Sequence, residues 1–229
     1  MNYLRIDKED ICNGEGLRVV LWLSGCSHKC KGCQNPQTWD ANRGVPFDES
    51  AKEELFRELD KDYISGLTLS GGDPLFESNL DDVLKLVTEV NKRYNAAQYI
   101  DTNNHYKHNI LNINANEIRL SKPQKSIWLY TGYTISTCEY FNDTIFTFNP
   151  SYYHLNPLNN KSVKVDEKAF LIKQDKKRKE IFKNIDVLVD GKYIDSQRDI
   201  TLPYRGSLNQ RLIDVKQSLQ KGKIVLWQI

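Results

Sequence analysis

The chain has 229 residues, enough to bury one sizeable core, so a single domain over residues 1–229 is the default expectation. Its 32 Lys and Arg residues nearly cancel its 30 Asp and Glu residues, so no overall field favours nucleic acid or an anionic membrane as a partner. No apolar run approaches the roughly 18 residues of a membrane span, and the charged first ten residues are unlike a signal peptide. We therefore expect a cytoplasmic protein that works with a protein partner.

The first predicted strand leads directly into a loop with three closely spaced cysteines. Residues 19–23 form a continuous apolar run with β-branched members, which is typical of a buried strand. Cys26, Cys30 and Cys33 follow it with the spacing Cys-x3-Cys-x2-Cys. Thiolates favour soft or redox centres such as iron–sulfur clusters and zinc. Three thiolates would leave one iron of a [4Fe-4S] cluster without a protein ligand, and an open iron can bind a substrate.

Zinc is the alternative metal for this loop, because His28 would complete a Cys3His ligand set. Structural zinc sites usually draw their ligands from two separated knuckles, whereas this set lies within one short loop, so we favour the cluster. His28 is then a polar residue of the loop, with tuning of the cluster by a hydrogen bond as the alternative. The two other cysteines, Cys12 and Cys138, are expected to be structural, as buried free thiols usually are.

A helix and a second strand come next and end at a glycine-rich turn. Residues 48–60 open with cap-type residues and carry apolar residues at helical spacing. Residues 67–69 form a strand that ends at Ser70-Gly-Gly-Asp-Pro74, and glycines let the backbone approach a ligand closely. Parallel sheets and (βα) barrels place ligands at the carboxyl ends of their strands. We therefore expect the glycine turn and the cysteine loop at one edge of the sheet.

The alternation of strands and helices continues and favours an α/β fold with parallel pairing, which we expect to be an open partial (βα) barrel. The predicted elements are a helix capped by Asn79, strands at 127–130 and 185–189, a helix within 208–219 and a terminal strand at 223–229.

Two stretches interrupt this pattern, residues 95–126 and residues 135–180. We interpret both as inserted segments, because surface loops accept extra residues at small entropic cost. Within the second stretch, the lysine-rich run 173–180 is typical of a solvated helix face.

The cysteine motif and Gly71-Gly-Asp-Pro74, in this order and at strand ends, resemble the cluster and glycine-rich motifs of the radical S-adenosylmethionine (SAM) superfamily. Within it the chain is most similar to activases of glycyl-radical enzymes, in particular those of anaerobic ribonucleoside-triphosphate reductases, over residues 1–94, 127–134 and 185–212. The segments that carry this likeness are Asn13–Gly16, Cys30–Asn35, Thr38-Trp39, Leu69–Leu75, Trp128–Tyr133, Val187–Lys192 and Arg205–Gln210.

The resemblance implies a radical SAM enzyme with a [4Fe-4S] cluster held by the three cysteines. In that superfamily the open iron chelates SAM, and the reduced cluster cleaves SAM to methionine and a 5'-deoxyadenosyl radical. The implied protein substrate is the large subunit of an anaerobic ribonucleotide reductase, on which a glycine becomes a stable radical. The implied electron source is an external one-electron donor such as flavodoxin.

The resemblance also implies where SAM would bind. Its contacts would be Gly32, Cys33, Gln34, Gly71, Gly72, Asp73 and Pro74, and a ribose contact would come from Thr131, Asp101 or Thr102. The Asp73 carboxylate either touches SAM or orients the turn. The polar run 205–210 has no obvious structural demand, so we expect it near the partner interface or the open edge of the barrel.

Two other functions stay open. The chain could activate a different glycyl-radical enzyme, such as one of the formate-lyase type. It could also be a non-catalytic interaction protein that binds zinc or senses redox state.

Overall fold

A seven-stranded mixed sheet forms the centre of the protein. The structure is a computed structural model and describes residues 1–95, 124–140, 143–149 and 165–228. The strands are β1 (Asn2–Asp10), β2 (Arg18–Leu23), β3 (Val45–Pro46), β4 (Gly66–Gly71), β5 (Ser126–Tyr130), β6 (Thr134–Tyr140), β7 (Asp143–Asn149), β8 (Val187–Asp190) and β9 (Arg211–Asp214). The helices are α1 (Glu49–Leu59), α2 (Leu80–Val90), α3 (Val165–Lys183) and α4 (Val215–Lys221).

The middle of the sheet is parallel and its edges are antiparallel. The strand order is β3-β1-β2-β4-β5-β8-β9, in which β2, β4, β5 and β8 pair in parallel. β1 and β3 on one side and β9 on the other pair antiparallel, and β6 and β7 form a separate hairpin. The α/β class and the parallel pairing predicted from the sequence are therefore confirmed.

The two faces of the sheet bury different sets of residues, as the two-residue period of a strand requires. One large apolar cluster takes Leu129 and Leu188 from the sheet and packs them with residues of α1 and α2, such as Leu55 and Val87. A smaller cluster on the other face holds Trp128, Val187, Val189 and Leu212.

Helices α1 and α2 begin where the sequence predicts, with Asp48 and Asn79 at their N-cap positions, but only Asp48 caps its helix with its side chain. The Asp48 carboxylate accepts a hydrogen bond from the Ala51 amide at 3.0 Å, which satisfies one free N–H of the first turn of α1. The Asn79 side chain makes no such bond. It donates instead to the carbonyls of Ser24 and Asp73, at 2.8 and 3.1 Å. Asn79 therefore ties the end of β2 to the glycine turn.

The carboxyl-terminal predictions are partly wrong. The helix predicted within 208–219 is a strand, β9, followed by α4, because residues 211–214 pair with β8 and the Asp214 side chain caps the helix at Gln217. In place of the strand predicted at 223–229, the residues described to 228 make one bridge, between Leu226 and Ile213.

Both segments interpreted as insertions are described only in part. Residues 96–123 of the first lie outside the described residues, and the second contains the hairpin β6–β7 and most of α3, which packs against α2. The run 173–180 lies on α3 and is only partly solvated, since Gln174 and Arg178 are buried. No helix among the described residues is long and apolar enough to cross a membrane.

Candidate functional site

The predicted cysteine loop and glycine turn meet at one cavity of about 380 Å³. Its wall takes residues from beyond the carboxyl ends of all four parallel strands, as expected for an α/β sheet. From the predicted site the cavity is lined by Cys26, Cys30, Cys33, Gln34, Gly71, Gly72 and Thr131. Its volume lies within the range of about 300–1,000 Å³ typical of small-molecule sites.

The two glycines of the turn allow it to pack directly on the cysteine loop. The Gly72 amide donates to the Leu23 carbonyl at 2.8 Å, and the Asp73 amide donates to the Gly25 carbonyl at 2.7 Å. A Cβ on Gly72 would lie 2.5 Å from the Gly25 oxygen, and Gly71 has φ +99°, which side-chain-bearing residues rarely adopt. These two amides are therefore engaged within the protein and are not free to bind a ligand. A cationic ligand would donate hydrogen bonds to carbonyl groups of the turn.

The Asp73 carboxylate holds the surrounding backbone together. It is 1% exposed and accepts hydrogen bonds from the Leu75 amide at 2.8 Å, the Thr131 hydroxyl at 2.9 Å and the Gly132 amide at 3.0 Å. Its second oxygen also lies 2.8 Å from His28 Nε2. Neither Asp73 nor Pro74 lines the cavity. The Asp73 carboxylate therefore connects its own turn to the backbone after β5 and to His28 of the cysteine loop.

Sequence reasoning missed a buried arginine behind this carboxylate. Arg178 on α3 donates to the Leu75 carbonyl and to the Tyr133 hydroxyl, each at 3.0 Å, and its guanidinium lies 4.4 Å from the Tyr133 ring. The Tyr133 ring in turn packs edge-on against His28 at 4.7 Å. Arg178 stands in the lysine-rich run of a predicted insertion, so no local signal distinguished it from the solvated residues beside it.

The three cysteine thiols are half-buried and unpaired by disulfides. Burial, with the neighbouring Asp73 carboxylate, raises the pKa of the Cys26 thiol to about 12, and burial also raises the pKa of Cys30. Metal binding at this loop must therefore displace protons from the thiols.

Within the described ranges, no three His, Cys, Asp or Glu side chains converge closely enough to hold a single metal ion. A four-iron cluster takes one thiolate on each of three irons and so spreads its ligands more widely. Cys26, Cys30 and Cys33 all line the cavity and supply three thiols for such a cluster, and His28, the fourth ligand of the zinc alternative, lies against Asp73.

Other predicted residues lie away from the cavity or outside the described chain. Gly32 has φ +71°, and a Cβ there would lie 2.5 Å from the Asp195 carboxylate, so Gly32 packs against the segment after β8. Asp101 and Thr102 lie outside the described residues. Cys12 is exposed and lines the cavity, so the buried-thiol interpretation is wrong for it.

Cys138 belongs to β6, and its side chain is outside the described part of the structure.

The polar run 205–210 has a structural task, contrary to the expectation from the sequence. The Gln210 side-chain oxygen accepts hydrogen bonds from the Gly206 and Ser207 amides at 3.0 and 3.2 Å. The Asn209 side-chain amide donates to the Lys192 carbonyl at 2.7 Å. These bonds fold the segment between β8 and β9 into a defined loop, which also forms part of the cavity wall.

An unpartnered donor in the wall supports a bound cofactor. The Trp39 Nε1 atom is buried and has no hydrogen-bond partner among the described residues, although Trp39 lines the cavity beside Cys26. A buried donor without an acceptor costs stability, so an acceptor on a bound group fits this position.

Comparison with known proteins agrees with this chemistry. The profile of a family described as a 4Fe-4S single cluster domain matches residues 12–116 and 102–213. A protein of Enterobacteria phage T4 is 34% identical over 93% of this chain and 93% of its own length. Proteins of Haemophilus influenzae and Escherichia coli K12 are each 32% identical over 92% of this chain and 96% of their own length.

All three relatives carry the name anaerobic ribonucleoside-triphosphate reductase-activating protein. With identities above 30% across nearly the whole chain, and with the three cysteines at the cavity, this chain belongs to the family of anaerobic ribonucleoside-triphosphate reductase-activating proteins.

Proposed function

We propose that this chain uses radical SAM chemistry at the cavity to generate a glycyl radical on the large subunit of an anaerobic ribonucleoside-triphosphate reductase. The observation that carries the proposal is the meeting of three thiols and a glycine turn at one cavity beyond the parallel strands. The names of the relatives favour this reductase over an enzyme of the formate-lyase type.

Cys26, Cys30 and Cys33 are the residues that would hold the [4Fe-4S] cluster. When bound and reduced, the cluster would supply one electron for the cleavage of SAM to methionine and a 5'-deoxyadenosyl radical, which would become 5'-deoxyadenosine by taking a hydrogen atom from the target glycine. The electron comes from an external one-electron donor such as flavodoxin.

The residues around the cysteines would position SAM in different ways. Carbonyl groups of the turn at Gly71 and Gly72 would accept hydrogen bonds from its ammonium group. Gln34, Cys33 and Thr131 line the cavity and would contact the rest of the molecule. The Thr131 hydroxyl already donates to Asp73 and accepts a hydrogen bond from the Tyr133 amide at 3.1 Å, so one lone pair remains for a ribose.

The remaining predicted SAM residues act less directly in this proposal. Asp73 and Pro74 would shape the turn, and Gly32 would give the cysteine loop its bend. Asp101 and Thr102 remain candidates for the ribose. We also propose that the mostly parallel sheet is an open partial (βα) barrel within one domain. The sheet is open because its edge strands pair only inward, β3 with β1 and β9 with β8, and not with each other.

The test is anaerobic reconstitution with iron and sulfide, followed by electron paramagnetic resonance (EPR) of the dithionite-reduced protein with and without SAM. We expect a [4Fe-4S]¹⁺ signal that changes when SAM is added, because SAM would bind the open iron. Single Cys26→Ala, Cys30→Ala and Cys33→Ala variants should lose SAM cleavage to 5'-deoxyadenosine.

Bound zinc without visible absorption would contradict the proposal and support the non-catalytic alternative. Full SAM cleavage by the Cys30→Ala variant would refute the assignment of the cluster ligands.

A further inference from the structure

The loop between β8 and β9, residues 191–210, lies directly beside the predicted cluster ligands. The Tyr193 backbone lies beside the Cys30 thiol, and Asp195 packs against Gly32. Further along, the loop contributes Leu202 and Arg205 to the cavity wall. It therefore forms both one wall of the cavity and part of the surface next to it.

Hydrogen bonds within the loop connect its parts to one another. Besides the bonds of Asn209 and Gln210, the Leu208 amide donates to the Gln197 carbonyl at 3.0 Å, and Arg198 and Ser207 form an antiparallel bridge. These contacts account for the side chains of Asn209 and Gln210 without any ligand.

Three large apolar side chains of this ordered loop are exposed to solvent. Ile200 is 83% exposed, Leu208 is 61% exposed and Ile194 is 37% exposed. We refer to Ile194, Ile200 and Leu208 together as the apolar rim. All three belong to the one loop that also lines the cavity, and exposed apolar residues grouped at a cavity are a feature of interaction sites.

Arg205 on the same loop has a donor without an acceptor. Its Nε atom is buried and has no hydrogen-bond partner within the described residues, while one terminal nitrogen donates to the Gln210 carbonyl at 3.3 Å. Since Arg205 lines the cavity, the missing acceptor would come from whatever enters there.

We propose that residues 191–210 bind the glycine-bearing segment of the partner reductase, an inference that rests on the proposed function. The apolar rim contacts apolar side chains of that segment outside the cavity, and Arg205 Nε donates to one of its backbone carbonyls inside. The target glycine must reach the cavity in any case, and this loop is continuous from its wall to the exposed surface. A cofactor contained in the cavity would not need isoleucine and leucine exposed on the surface.

The test is the double variant Ile200→Asp/Leu208→Asp of the reconstituted protein. Two quantities are measured: 5'-deoxyadenosine formed with dithionite in the absence of reductase, and the glycyl-radical EPR signal formed on the purified reductase. We expect the first to remain within twofold of the parent and the concentration of reductase that gives half-maximal radical formation to rise at least about tenfold, as for loss of interface anchor residues.

Val45→Asp is the matched control. Val45 is 52% exposed on β3, at the end of the sheet order opposite to β9, so this variant should keep both activities. An Ile200→Asp/Leu208→Asp protein that generates the radical like the parent would overturn the proposal. A variant that loses SAM cleavage without the reductase would overturn it too, because the rim would then act on the cavity and not on the partner.

Arg205→Gln separates the partner from the cofactor. We expect at least about a tenfold higher half-saturating concentration of reductase, a larger change than in the half-saturating concentration of SAM, as for other buried interface arginines. The reverse pattern would assign Arg205 to SAM and overturn its place in the proposal. If the parent protein itself cleaves no SAM, the proposed function fails, which is distinct from failure of the rim alone.

Discussion

Asp73 shows how one buried carboxylate can hold together three segments around a cavity. It binds the backbone of its own turn at Leu75 and the end of β5 at Gly132, and it lies against His28 of the cysteine loop. The turn after β4, the end of β5 and the cysteine loop meet at this one side chain. A radical enzyme needs such fixed positioning, because its reactive group must meet only one target.

Asp73→Asn should therefore destabilise the protein even without the cluster. The amide replaces an acceptor oxygen with an N–H donor next to buried donors, at a cost of about 1–3 kcal/mol in the free energy of unfolding. Denaturant unfolding of the cluster-free protein under reducing conditions measures this change. The control Glu53→Gln, at an exposed position on α1, should change stability by less than about 0.5 kcal/mol.

Unchanged stability of Asp73→Asn together with weaker SAM binding would contradict this prediction. Asp73 would then contact SAM directly, which is the other role left open by the sequence.

At the scale of elements, α3 connects a predicted insertion to the site. Arg178 reaches from α3 to the Leu75 carbonyl, two residues from Asp73, and to Tyr133, which packs on His28. The helix thus supports the cysteine loop and the glycine turn from behind. A segment interpreted from sequence as surface elaboration supplies a buried contact of the site.

Arg178→Met should lower the free energy of unfolding by about 1.5–3 kcal/mol, because the Leu75 carbonyl and the Tyr133 hydroxyl lose a charged hydrogen-bond partner. Lys183→Met on the same helix removes an exposed pair with Glu180 and should cost at most about 1 kcal/mol. Thermal or denaturant unfolding of both variants makes the comparison. Equal, small effects would mean that α3 packs loosely and does not support the site.

The elements that were predicted correctly are those with a local signal. The signals for β2, α1 and the glycine turn after β4 lie within short windows of sequence. The structure confirms each of these elements at the predicted place. The helix expected within 208–219 failed because residues 211–214 are held by pairing with β8, which lies about twenty residues earlier in the chain.

The residues of the candidate site also fall into those with a local sequence signal and those without one. Cysteines and glycines were identified from their spacing, whereas Arg178 and Trp39 Nε1 depend on contacts between distant segments. The tasks of Asn79 and of residues 205–210 also emerged only from the fold, because their side-chain partners lie on other elements or across a loop. Patterns of residue type thus predicted which residues line the cavity but not which side chains hold its wall together.

Across the whole molecule, the two ends of the parallel strands have different tasks. The carboxyl ends surround the cavity, and the amino ends are joined by a buried arginine. Arg18 at the start of β2 is fully buried and donates to the Thr68 hydroxyl at 2.7 Å and to the Leu67 and Ser126 carbonyls, each at 2.8 Å. Burial lowers its pKa to about 10, so it remains charged at neutral pH.

Arg18→Met should therefore reduce stability while leaving the site intact. Three buried acceptors would each lose a charged donor, so the free energy of unfolding should fall by about 3 kcal/mol or more. The exposed Arg57 on α1 provides the control, since Arg57→Met should change stability by less than about 0.5 kcal/mol. Unfolding in denaturant at low temperature measures both variants.

The same Arg18→Met protein also tests whether the two ends are independent. Iron bound per folded chain after reconstitution should match that of the parent, because no described contact of Arg18 involves the cysteine loop or the glycine turn. A loss of iron from folded protein would show that the register of β2, β4 and β5, fixed at their amino ends, determines the spacing of the cysteines and glycines at the other end. The stability of the sheet and the geometry of the site would then be one property of the fold.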